Sequence, residues 1–248
     1  MTRDRRNRGQ TGGQTGVRHG SDTGQTRVRH GSDPIVVSDP IVVCLGDSTT
    51  AGTPLFKSPV EAPPAGEGDV RSQFAYWLAR ARPHWRVLNR GVTGERSDEI
   101  AARFDRDVLG HDPQVVVIIA GVNDVYQGRD VAYVTTQLAA LYSRTAAAGL
   151  AIVAGTIVPY NTATPEQNAR MRAINAWIAD TTRREELGFA DTRAAAAAAD
   201  NPDMLASSLD GLHPDVDGYR RMADALLAPI AAALTMLTPG PRSKADGV

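Results

Sequence analysis

From residue 40 onward, short apolar runs alternate with segments whose apolar residues recur at helical period, and no other feature constrains the fold so tightly. That alternation marks a parallel sheet flanked by helices, because parallel neighbours need a crossover and a helix is the usual one. Strands are expected at Ile41–Leu45, Arg86–Leu88, Val115–Ala120, Ala151–Gly155 and near Phe189-Ala190. Helices are expected over about residues 71–82, 97–108, 131–148, 165–186 and 215–235. The runs Ile41–Leu45 and Val115–Ile119 are apolar throughout, as strands covered on both faces are. A chain of 248 residues suits one such domain and not two, and 42% hydrophobic residues can fill its core.

Residues 1–33 differ in kind: they are rich in Arg, Gly, Gln, Thr, Ser and Asp. Val17-Arg18-His19-Gly20-Ser21-Asp22 recurs as Val28-Arg29-His30-Gly31-Ser32-Asp33, and Ser32-Asp33-Pro34-Ile35-Val36-Val37 recurs as Ser38-Asp39-Pro40-Ile41-Val42-Val43. Repeats this short build no architecture. A polar segment of that composition buries too little surface to offset its ordering entropy. The expected organisation is a disordered tail over residues 1–38, one domain over 39–237 and a disordered tail over 238–248. Only one Pro-Ile-Val-Val copy can be the first core strand, and the second is chosen because Leu45-Gly46-Asp47-Ser48 follows it directly.

Seven arginines against three aspartates give residues 1–33 a charge of +4 and leave −5 on the remainder. A net charge of −1 argues against a nucleic-acid binder. No apolar run nears the length of about 18 residues that a membrane span needs. The N-terminal arginines are followed by no apolar segment, so they do not read as a secretory signal, and cytoplasmic residence is expected. Cys44, the only cysteine, lies in an apolar run and is expected to be a buried, inert thiol.

The turns carry the chemistry. Gly46-Asp47-Ser48-Thr49 ends the first strand, Asn89-Arg90-Gly91 the second and Gly121-Val122-Asn123-Asp124 the third. All three follow carboxyl ends of strands, where open α/β sheets place their ligand sites. A serine hydroxyl needs a base to become a nucleophile. His213, in Asp210-Gly211-Leu212-His213-Pro214, is the best candidate, and Asp210 stands three residues before it to hold the imidazole and stabilise the imidazolium. His19 and His30 lie in the repeats, while His84 and His111 sit in turns beside prolines. Attack on an ester makes an oxyanion, which needs donors aimed at it beforehand. The backbone N–H groups of Ser48 and Gly91 and the side-chain amide of Asn123 are the donors available at the strand ends.

The four blocks Gly46-Asp47-Ser48, Gly91, Gly121-Val122-Asn123-Asp124 and Asp210-Gly211-Leu212-His213-Pro214 occur in the order that names the SGNH (GDSL-type) hydrolases. The chain resembles that family over about residues 40–236. The resemblance implies a three-layer α/β/α sandwich, flavodoxin-like, with a parallel sheet of about five strands. It implies a serine esterase without cofactor or metal, acting on small-molecule esters, thioesters or O-acetyl groups. It also implies Ser48 as nucleophile, Asp210 and His213 as its partners, Gly91 and Asn123 as oxyanion donors, and Asp47 in support. Thr49 stands where the family's short name has Leu, which bears on substrate preference more than on the nucleophile.

Three other readings compete. A conventional α/β-hydrolase also runs Ser, acid, His, but its elbow is Gly-x-Ser-x-Gly and Thr50 occupies the last position here. A metal-dependent phosphoesterase could use Asp47, Asn123, Asp124 and His213, although such sites draw on several histidines. A non-catalytic binding module on the same fold is the third, since fold alone does not fix function. The segment Thr53–Asp69, with four prolines and two glycines, leaves just after the nucleophile and is expected to form a pocket wall or lid. Its few large apolar residues suggest a small or shallow acyl site. Residues 125–130 and 160–165 also lie where they could border the pocket.

Overall fold

The second Pro-Ile-Val-Val copy enters β1 (Ile41–Gly46), which leads into the one-turn helix α1 (Ser48–Ala51). A hairpin of β2 (Phe56–Lys57) and β3 (Glu67–Gly68), then α2 (Phe74–Ala81), separate it from β4 (Arg86–Gly91). The chain continues through α3 (Ser97–Ala102), α4 (Phe104–Asp107), β5 (Val115–Ile119), α5 (Val122–Tyr126) and α6 (Val131–Ala147). It closes with β6 (Ala151–Gly155), α7 (Pro165–Arg184), β7 (Gly188–Ala190), α8 (Thr192–Ala196) and α9 (Val216–Leu237). This computed structural model describes residues 39–237, and the tails expected at 1–38 and 238–248 lie outside the described residues.

Five strands form one parallel sheet in the order β4-β1-β5-β6-β7. That is the flavodoxin-like order, in which the chain leaves β1 for one edge and then crosses back to its other side. Side chains alternate across the sheet as a period of two requires. Val43, Leu45, Val116, Ile118, Ile152 and Ala154 face one layer, made by α3, α4, α6 and α7 with Ile100, Phe104, Leu138, Leu141, Met171 and Ile174. Val42, Cys44, Val115, Val117, Ile119 and Val153 face the other, where α2 and α9 bring Phe74, Leu78, Tyr219, Met222 and Leu226. Each fully buried aliphatic side chain contributes about 1.5–3 kcal/mol, so the two faces together hold the sandwich closed. Cys44 is fully buried, and loss of water pushes its thiol pKa up, which leaves it inert at neutral pH.

Helix boundaries follow local chemistry. Thr164 and Gln167 form a reciprocal capping box ahead of Pro165 at the start of α7, and the Asp130 side chain accepts the Tyr133 N–H at 2.7 Å to start α6. The continuous helix expected over 97–108 is instead two, broken at Arg103. The strand expected at Arg86–Leu88 runs three residues further, to Gly91. Polar Asn89 does not end it, because its buried amide is met inside, Nδ2 donating to the Ala51 carbonyl at 3.0 Å and to Gln73 Oε1 at 2.7 Å, and Arg90 is only half-buried on this edge strand.

Candidate active site

Parallel register aligns the strand ends: Gly46 lies opposite Gly91 on one side and Ile119 on the other. The turns after β1 and β5 therefore emerge side by side, at the point where the strand order reverses. Asp47 caps α1, its Oδ1 accepting the Thr49 N–H at 2.9 Å, and this tight turn presents Ser48 at the head of the helix. The loop before α9 brings His213 and Asp210 to this turn. His213 Nε2 is 2.8 Å from Ser48 Oγ, and His213 Nδ1 is 2.7 Å from Asp210 Oδ2. The other Asp210 oxygen accepts the backbone N–H groups of Leu212 and His213, each at 2.9 Å, which fixes the carboxylate against its own loop. Burial works to raise the Asp210 pKa, but the His213 contact and those two N–H groups outweigh it and hold the carboxyl below its ordinary range.

Asn123 sits on α5 and donates from Nδ2 to the Glu95 carbonyl at 2.9 Å, leaving the second amide proton for the cleft. Neighbouring Asp124 is fully buried and accepts both the Ser97 N–H and Ser97 Oγ at 2.8 Å. The end of the turn after β4, at Glu95, and the first residue of α3, Ser97, are thereby both tied to α5.

The oxyanion role expected of Gly91 does not fit the geometry. Its N–H donates to Asn89 Oδ1 at 3.0 Å, and it is not among the residues that line the cleft. Gly91 is glycine for space: a Cβ there would stand 2.0 Å from the Ala51 backbone nitrogen, so α1 could not pack on β4. The glycine that does line the cleft is Gly94, with a φ of +83° and open space where a Cβ would be. Among the described residues, no acceptor engages the backbone N–H of either Ser48 or Gly94.

The cleft holds about 190 Å³ and is lined by Ser48, Thr49, Thr93, Gly94, Val122, Asn123, Tyr126, Tyr160, Leu212 and His213. Tyr160 is buried, and Tyr126 lies edge-on to it with ring centroids 5.8 Å apart and stands largely exposed at the surface. Both fall in the two segments thought able to border the pocket, but no pattern in the sequence singles them out. No lining residue comes from Thr53–Asp69, which is therefore not the wall or lid expected of it. Its hairpin instead props the turn behind the cleft. Ser58 Oγ donates to the Gly91 carbonyl, Glu61 Oε1 accepts the Thr93 N–H at 2.9 Å, and Thr53 Oγ1 meets Thr93 Oγ1 at 2.9 Å.

The would-be metal ligands do not converge. Asp124 is spent on Ser97, Asp47 points one oxygen at the Thr49 N–H, and His213 is shared between Ser48 and Asp210. Among the described residues, His, Cys, Asp and Glu form no group of three or more placed to hold a metal ion. Among them too, no helix is long and apolar enough to cross a membrane.

Solved structures share the fold. An acetylxylan esterase from Geobacillus stearothermophilus matches with a TM-score of 0.62 at 23% identity, over 78% of this chain and 94% of its own. A GDSL-like lipase from Bacteroides thetaiotaomicron matches at 0.61 and 20% identity, over 80% and 90%. A member of the lipolytic G-D-S-L family from Veillonella parvula matches at 0.62 and 18%, over 76% and 96%. No curated protein sequence matches the chain. The sequence model of the GDSL-like lipase/acylhydrolase family matches residues 44–221, which takes in all the site residues above, and the chain is a hydrolase of that family.

Proposed function

We propose that the protein hydrolyses esters of short acyl groups through a covalent acyl-enzyme on Ser48. The observation that carries this reading is the unbroken contact chain Ser48 Oγ–His213 Nε2 at 2.8 Å and His213 Nδ1–Asp210 Oδ2 at 2.7 Å. Ser48 Oγ attacks the ester carbonyl carbon while His213 Nε2 takes its proton. Asp210 keeps the remaining proton on Nδ1 and stabilises the imidazolium. The oxyanion that forms is met by the backbone N–H groups of Ser48 and Gly94 and the free amide proton of Asn123. Collapse expels the alcohol, which takes its proton from His213, and a water molecule then repeats the attack on the acyl-serine with His213 as base. Val122, Tyr126, Tyr160 and Leu212 make the cleft apolar beside the nucleophile, and its small volume favours acetyl to hexanoyl groups over chains above about ten carbons.

Aryl esters graded by acyl length test both parts. Ser48→Ala and His213→Ala each nearly abolish turnover, and the double variant is hardly worse, because the two act as one unit. Asn123→Ala lowers kcat by roughly 10²–10³ and leaves KM nearly unchanged. A fluorophosphonate labels the parent and not Ser48→Ala. Labelling that persists in Ser48→Ala, or multiplicative losses in the double variant, overturns the nucleophile assignment, and a preference for lauroyl esters overturns the acyl-size assignment.

A further inference from the structure

Arg103 occupies the break between α3 and α4, and its guanidinium is buried directly beneath the two turns that carry the backbone donors. Taking such a group out of water is costly unless its N–H groups are met. Here Nη2 donates to the Gly46 carbonyl at 2.8 Å, and Nη1 donates to the Arg90 carbonyl and to Asp107 Oδ2, both at 2.8 Å. Nε donates to Glu95 Oε2 at 2.6 Å. The Gly46 carbonyl belongs to the peptide that enters Asp47-Ser48. Glu95 follows Gly94, and its own carbonyl accepts the Asn123 amide at 2.9 Å. One planar group thus touches the backbone ahead of Ser48, the end of β4, and the residue gripped by Asn123.

We propose that Arg103 is a positioning residue of the oxyanion site, bridging Gly46, Arg90 and Glu95 so that the Ser48 and Gly94 N–H groups stand at a fixed separation. This rests on the assignment of Ser48, Gly94 and Asn123 as the donors. The alternative role, a staple for the fold alone, makes a different demand on kinetics: a buried ion pair that only staples can be replaced at a loss of stability and no loss of turnover in the molecules that stay folded. The fork is what the proposed role requires. A lysine carries the charge on a single atom and cannot reach two carbonyls and two carboxylates together.

The test compares Arg103→Lys, Arg103→Met and Ile178→Ala, the last a core truncation outside the cleft, at a temperature where each is folded by circular dichroism. Arg103→Lys lowers kcat roughly ten-fold and Arg103→Met roughly a hundred-fold, with KM within about two-fold of the parent. Ile178→Ala lowers the melting temperature and leaves kcat unchanged. Joining Arg103→Lys to Asn123→Ala costs clearly less than the product of the two single losses, because both weaken the same site. If Arg103→Met does not fold, Arg103→Lys and the cycle with Asn123→Ala still decide. A folded Arg103→Lys with parental kcat, or losses that multiply with those of Asn123→Ala, overturns the proposal while leaving Ser48 as nucleophile. A parent that turns over no ester overturns both.

Discussion

Two glycines stand three residues apart at the end of β4, and they answer to different physics. Gly91 is required by contact, since any side chain there meets the Ala51 backbone, whereas Gly94 is required by its backbone angle of +83° and meets nothing. Gly91→Ala should therefore cost at least about 3 kcal/mol through overpacking, seen as a melting temperature lower by roughly 6–12 °C. Gly94→Ala should cost only about 1–2 kcal/mol. Its kcat should nevertheless fall ten-fold or more, because relieving the angle turns the N–H away from the oxyanion. Steady-state kinetics beside thermal melts separate the two, and a Gly94→Ala enzyme with parental kcat removes Gly94 from the site. Ser48, Asn123, Asp210 and His213 were legible because each lies in a polar turn with a distinctive neighbour. Gly94 was not, because the apolar run of β4 stops at Leu88 and the polar Asn89 and Arg90 mimic the start of the turn. The spacing Gly91-Val92-Thr93-Gly94 was the available signal.

At the scale of elements, the fully covered strands β1, β5 and β6 were plain from composition, since a strand buried on both faces must be apolar at every position. The hairpin was not. β2 and β3 are two residues each and pair through backbone, so no side-chain period announces them. The helix break at Arg103 also leaves no propensity signal, since arginine is a good helix former and its partners Gly46, Arg90 and Glu95 lie outside the helix. The hairpin's role as a prop makes a kinetic prediction. Glu61 accepts the Thr93 N–H next to Gly94, so Glu61→Ala should lower kcat by roughly ten-fold with little change in KM, the equivalent of one charge-assisted hydrogen bond. Glu61→Gln should recover most of that loss. If Glu61→Ala instead raises KM at constant kcat, the hairpin touches substrate and the lid expectation returns.

Across the molecule, the alternation of strand and helix made the layer order legible, while the electrostatic cost of the Asp47-Ser48 turn was not. Asp47 is buried with its Oδ2 unpartnered, and loss of water pushes its pKa from an ordinary 3.8 up to about 7, outweighing the lowering by the Thr49 contacts. The folded carboxyl keeps its proton up to about pH 7, and the unfolded one releases it near 4. Folding therefore binds a proton in that window, and stability falls as pH rises through it. Asp47→Asn, which can still cap α1, should stabilise the fold by roughly 2–4 kcal/mol at pH 8 and by little at pH 4. Thermal melts across pH measure this, and an equal shift at both ends would show that burial of the charge is not the cause. The contact between Ser48 and His213 has a consequence of another order. The two residues are 165 positions apart in the chain, one leaving the first strand and the other entering the last helix. If Ser48 is the nucleophile proposed above, its hydroxyl stays unactivated through the synthesis of the 165 positions that follow, until the segment carrying His213 has left the ribosome and folded against β1.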